Sequence, residues 1–190
     1  MKPIAFILTL LAMATSLVSC NEQVKEERIQ RIDSLGIHLN YVDESLQDMD
    51  SVLLVNRTTE IDNTSSWVYD NITDTLDRVP GLTFGDYMRT KKYLGQSLER
   101  YDQVQRELRY SSKQLKSLRE DVLNSFYSEE EFSGYFNTEA QSVKRLVDAT
   151  DELKEKYQMS NDRYTKFKPK VNAIVDSIKA VIYDSKPVKR

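Results

Sequence analysis

Between Phe132 and Val181 the chain places an apolar residue every three or four positions and never loses phase. The series runs Phe132, Phe136, Glu139, Val143, Leu146, Thr150, Leu153, Tyr157, Ser160, Tyr164, Phe167, Val171, Ile174, Ile178 and Val181. Only Glu139, Thr150 and Ser160 in it are polar, and the residues between are mostly charged or amide. A period of about 3.5 residues held this long belongs to a coiled-coil seam rather than to an ordinary globular helix. Residues 128–183 are therefore predicted as one helix, roughly 80 Å long at about 1.5 Å per residue. Such a helix cannot bury its stripe alone, so the rest of the chain must lie alongside it.

The rest of the chain is equally short of strand signals. Its 190 residues contain five glycines and four prolines, and between Ile4 and Lys186 the only prolines are Pro80 and Pro169. All-β folds need turn residues every 8–12 positions or so, so the fold class is all-α. With 39% hydrophobic and 30% charged residues, the composition suits helices with a large solvated surface. Cys20 is the one cysteine and His38 the one histidine. The first excludes an intrachain disulfide and a cysteine-cluster metal site, and the second removes most histidine-based metal and general-base arrangements. A pI near 5.4 argues against nucleic acid, whose phosphates need a basic face.

Residues 1–19 read as a targeting segment, with Met1-Lys2 as a short basic start and Ile4 to Ala14 as an apolar stretch. That stretch is too short to span a bilayer, which takes about 20 apolar residues. It ends in Leu17-Val18-Ser19-Cys20. These residues resemble the lipobox of bacterial lipoproteins: Leu at −3, a small residue before the cut, then the obligatory Cys. The alternative is an ordinary secretory signal with an incidental cysteine. The resemblance implies cleavage between Ser19 and Cys20, a diacylglycerol on the Cys20 thiol and an acyl chain such as palmitate on the new amino group. Buried acyl chains at roughly 0.8 kcal/mol per CH₂ make a stable anchor. Asn21 stands at +2, where Asp tends to retain members of that family in the inner membrane, so the outer membrane is expected. The acidic stretch Asn21 to Glu27 is similar to export signals that send some lipoproteins to the cell exterior. It also reads as a solvated tether with Glu near a helix start.

Four helices follow, over 22–56, 59–78, 84–126 and 128–183. In the first, Ile32, Leu35, Leu39, Val42, Leu46, Met49 and Leu53 form the stripe; Lys25 and Arg28, where it would extend backwards, are polar. Residues 56–66 are poor helix formers, and the stripe slips there before resuming at Ile61, Ser65, Val68 and Ile72. A break near 57 is expected, with one unbroken helix over 22–79 as the alternative. Pro80-Gly81 reads as a turn, with Thr83 capping the third helix. In that helix Tyr87, Leu94, Tyr101, Leu108, Leu115 and Val122 recur at every seventh position. Ser128-Glu129-Glu130-Glu131 is a capping box that opens the last helix, and Pro169 falls on its outer face, where it kinks rather than stops a helix. The domain plan is thus a removed signal (1–19), a lipidated tether (20–28), one helical bundle (29–183) and a frayed tail (184–190). Helix lengths favour an elongated antiparallel bundle in which the chain reverses near 57 and the first helix covers the tail of the fourth. That places Cys20 near the C-terminal end; a straight continuation leaves the tail bare and asks for a second copy.

No residue pattern here carries catalysis. The carboxylates of Glu129, Glu130, Glu131, Asp151 and Glu152 fall on outer faces, where nothing separates two pKa values. Phosphate loops, zinc helices and nucleophile–histidine spacings are absent from the sequence, and no cofactor is expected. Tyr101, Tyr157 and Tyr164 fill wide seam layers with the hydroxyl at the edge, or else shape a ligand site. His38 flanks a stripe as a surface residue. Glu139, Thr150 and Ser160 specify register or mark a binding site. Asn56-Arg57-Thr58, Asn63-Thr64-Ser65 and Asn71-Ile72-Thr73 fit the N-glycosylation pattern. Asp33-Ser34-Leu35, Asp50-Ser51-Val52, Asp74-Thr75-Leu76 and Asp176-Ser177-Ile178 look like an O-glycosylation motif of some diderm envelope proteins, a pattern that chance also supplies. The expectation is a non-enzymatic, lipid-anchored envelope protein, a scaffold or spacer for a protein partner. The rivals are a peptidoglycan tether, put in doubt by Arg190 rather than Lys at the end, and a periplasmic holdase.

Overall fold

The computed structural model describes residues 2–72 and 75–184, with side chains from Glu22 to Tyr183. Its elements are four helices: α1 (Lys2–Gln47), α2 (Ser51–Asn71), α3 (Arg78–Leu123) and α4 (Glu129–Asp184). The protein is an all-α helical bundle, without a strand among the described residues. Of the signal segment and Cys20 only the course of α1 is described, and the tail 185–190, Thr73 and Asp74 lie outside the described residues.

The chain forms two compact units, and α1, α3 and α4 each contribute to both. The first holds the residues up to Glu44 together with Arg106–Asp148. There Ile32, Leu35, Leu39 and Val42 of α1 are buried with Leu108, Leu115, Leu118 and Val122 of α3 and Phe132, Val143 and Leu146 of α4. The second unit holds Ser45–Gln105 and the chain from Ala149 on. Its core joins Leu54, Ile61 and Val68 of α2, Phe84, Tyr87 and Leu94 of α3, and Tyr164, Phe167 and Val171 of α4. Each is therefore a three-helix arrangement, and each fully buried aliphatic contributes about 1.5–3 kcal/mol over an exposed one.

The seam of α4 is buried at Phe132, Val143, Leu146, Thr150, Leu153, Ser160, Tyr164, Phe167 and Val171, whereas Val181 is 69% exposed. Pro169 is exposed and the helix continues through it. On α3 the narrowness of the stripe has a structural reason. The positions three residues after each seam residue, Thr90, Ser97, Val104, Ser111 and Leu118, are also buried, so the core has a second column in which Thr90, Ser97 and Ser111 are small and polar. Ser97 Oγ lies 3.4 Å from Ser160 Oγ, a close approach of α3 and α4 that larger side chains would prevent.

The helix boundaries differ from those expected: α1 ends at Gln47 rather than 56, α2 spans Ser51–Asn71 rather than 59–78, and α3 spans Arg78–Leu123 rather than 84–126. The first break falls at 48–50, not near 57. The residues around 57, expected to break the chain, lie inside α2, where the buried Leu54 and Ile61 hold it. Hydroxyls along it bond back one turn: Thr58 Oγ1 to the Leu54 carbonyl (2.8 Å), Thr59 Oγ1 to Val55 (3.1 Å) and Ser65 Oγ to Ile61 (2.7 Å). After the break Leu54, not Leu53, carries the stripe, and from Leu54 the spacing to Ile61 is one heptad. Pro80-Gly81 is no turn but part of the first turn of α3, where a missing N–H costs no helical hydrogen bond. The Gly81 N–H donates to the Asp77 carbonyl at 2.8 Å.

The reversal of the chain near 57 is also not found. In the first unit Arg28 of α1 meets Glu129 at the start of α4. In the second, α2 runs beside α4 in the same direction: Arg57 pairs with Asn161, Glu60 with Lys168, and Lys179 lies over the Trp67 ring at 5.4 Å. The tail of α4 is thus covered by α2, with Ile72 and Ile178 packed against the same core. Arg28, eight residues after Cys20, meets the α3–α4 connection rather than the C-terminal end.

Candidate functional site

A cluster of polar side chains joins α2 to α4 in the second unit. Tyr164 occupies a seam position of α4, and its ring stands 6.2 Å from that of Tyr87 on α3. Its hydroxyl donates to the carboxylate of Glu60 on α2. Lys168, one turn along α4, pairs with the same carboxylate. Arg57, one turn before Glu60, lies 4.6 Å above the Tyr164 ring and donates to Asn161 Oδ1. Burial pushes the Glu60 carboxyl up, but the bonds from Lys168 and Tyr164 outweigh it and hold it below the usual carboxylate range. Tyr164 moves the opposite way, raised by burial and by its bond to Glu60. The Tyr87 hydroxyl is buried, and burial raises it too. The phenol and the ammonium on one carboxylate thus tie α2 to α4.

A second cluster satisfies the backbone at the α1–α2 break. The Asp50 carboxylate accepts the Leu53 N–H at 2.8 Å as the N-cap of α2. Its own N–H donates to the Tyr157 hydroxyl at 3.0 Å. Ser45, Asp48, Met49, Lys154, Tyr157 and Asn161 line a cleft of about 320 Å³ beside it.

A third holds α1 in the first unit. Arg28 sits where the stripe continues backwards, its side chain only 14% exposed. It donates from Nη1 to the Tyr127 carbonyl (3.1 Å) and from Nη2 to Glu129 Oε2 (2.6 Å), with its guanidinium 5.0 Å from the Phe132 ring centre. Arg31 lies 4.3 Å from the centre of the Phe136 ring. The capping box forms: Ser128 N–H donates to Glu131 Oε2 at 2.9 Å, and Glu131 N–H to Ser128 Oγ at 3.3 Å.

Of the residues singled out in the sequence, Tyr157 and Tyr164 do bring their hydroxyls to the seam edge, and each finds a polar partner there. Tyr101 is half-buried, and His38, Glu129, Glu130, Glu131, Asp151 and Glu152 are exposed. Glu139 is half-buried, and burial raises its carboxyl. Arg28 and Glu60 were missed. The only trace of Arg28 in the sequence is a basic residue at a stripe position. Among the described residues no group of His, Cys, Asp or Glu is placed to hold a metal ion. In comparisons with known proteins, no family model matches the chain, nor does any curated protein or solved structure.

Proposed function

We propose that this chain is a lipid-anchored, non-enzymatic protein of the cell envelope, held in the outer membrane through acylated Cys20 and acting as a helical scaffold or spacer for a protein partner. The observation that carries this reading is Leu17-Val18-Ser19-Cys20 at the end of a short apolar segment, with the chain's one cysteine at the position the lipobox demands. Among the described residues no helix is long and apolar enough to cross a membrane, so attachment falls to the lipid. The polar clusters support a scaffold, because their charged groups are spent on each other across helices. A holdase asks for bare inner faces, and the seams here face partner helices.

The test is intact-mass measurement of the protein purified from membranes of a diderm host. The expected product begins at Cys20 and carries the mass of a diacylglycerol with or without a further acyl chain. Cys20→Ser should abolish that mass and release the protein from the membrane fraction on washing. An unmodified thiol at residue 20 overturns the anchor.

A further inference from the structure

α3 ends in a Schellman motif built on a serine. Ser125 adopts the left-handed conformation at φ 59°. Its N–H reaches the Val122 carbonyl and the Phe126 N–H reaches the Asp121 carbonyl, both at 3.1 Å. In such an ending the residue after the left-handed one commonly folds its apolar side chain back onto the last helical turn. Here that turn offers Asp121, whose carboxylate accepts the Tyr127 hydroxyl at 2.7 Å, and Phe126 stays 66% exposed. Leu123 and Tyr135 next to the connection are exposed too, as is Val24, about one turn before Arg28. Apolar surface gathered at one loop of a strongly charged protein marks a contact.

The chain's own connectivity names the occupant. Arg28 is fixed to the Tyr127 carbonyl, and Cys20 lies eight residues earlier. That reach is about 12 Å as helix and under about 30 Å fully extended. We propose that in the acylated protein the α3–α4 connection rests on the lipid surface, with Phe126 inserted at headgroup level beside the anchor. The inference depends on the lipid-anchor reading above. Aromatic side chains favour that interfacial depth. The local charge selects the lipid: Glu129 is paired with Arg28, but Glu130 and Glu131 are exposed, and Glu131 has only the neutral Ser128 as its donor. Zwitterionic headgroups are therefore preferred over anionic ones.

The test places tryptophan at the loop of the membrane-purified, full-length product. The parent chain, whose one tryptophan is Trp67, supplies the background. Phe126→Trp is compared with Tyr110→Trp, thirteen residues before Leu123 on α3 and so about 20 Å away along the helix. Both are reconstituted in phosphatidylcholine vesicles carrying brominated acyl chains, and circular dichroism checks that each is folded. The expected result is an acylated mass with about a twofold loss of the emission added at 126 and little loss at 110. Equal, weak quenching at both positions in an acylated protein overturns the loop contact and leaves the anchor standing. A blue-shifted but unquenched residue 126 with a dimer mass puts a second copy there and also overturns it. A Cys20 without added mass overturns both readings.

Discussion

Glu60 is answered from α4 by two different donors, a phenol and an ammonium, and the difference gives it a pH signature. Its folded pKa lies below the ordinary value of about 4.3 for a free glutamate. A carboxylate depressed in this way adds stability at every pH above its unfolded pKa and loses it as the pH falls through the folded one. Thermal melts followed by circular dichroism should therefore fall more steeply between about pH 5 and about pH 3 in the parent than in Glu60→Gln. Parallel curves would mean that the carboxylate is no more stabilised folded than unfolded. The sequence told half of this: Tyr164 stands on the stripe, and a phenol on a stripe must bring its hydroxyl to the edge. The acceptor was not legible, because Glu60 is 104 positions away and one outward glutamate among many looks like any other.

The same contrast holds for the elements. α3 and α4 were readable because the heptads of Tyr87, Leu94, Leu108, Leu115 and Val122 and the Ser128 capping box are local signals that packing reinforces. The α1–α2 break was not, because Leu46, Met49 and Leu53 keep helical spacing straight across it. What breaks the helix there is a backbone preference at Asp50, which caps α2, together with a hydroxyl that arrives from α4. Removing that hydroxyl with Tyr157→Phe leaves the Asp50 N–H to solvent and should cost about 1 kcal/mol in denaturant unfolding. If the loss is nil, water replaces the phenol without penalty and the break is set by Asp50 alone. Asn56 and Thr58 show the opposite case: weak helix formers by propensity, they are held in α2 by the buried stripe of Leu54 and Ile61 on either side.

For the whole molecule, the two units have separate sets of buried residues although α1, α3 and α4 each supply both. Leu94 is fully buried in the second unit. Leu94→Ala should cost about 2–5 kcal/mol. Hydrogen exchange read by mass spectrometry should show the loss of protection concentrated in 51–71, 78–105 and 149–184, with 22–44 and 106–148 less affected. A uniform rise across all segments would show that the units open together. The number of helices and their seams could be read before any coordinates, since they follow from periodicity alone. Which helix covers the end of α4 could not, because that depends on where α1 breaks, and the break at 48–50 leaves no trace in the periodicity.

The partners of α1 come late in the chain: Arg28 waits for a residue 101 positions on, and Asp33 for one 86 positions on. Until α3 and α4 leave the ribosome, the first helix has nothing to bury its stripe against, and an isolated helix is marginal in water. A polypeptide arranged this way stays pliable through most of its synthesis and sets only when its last third is delivered.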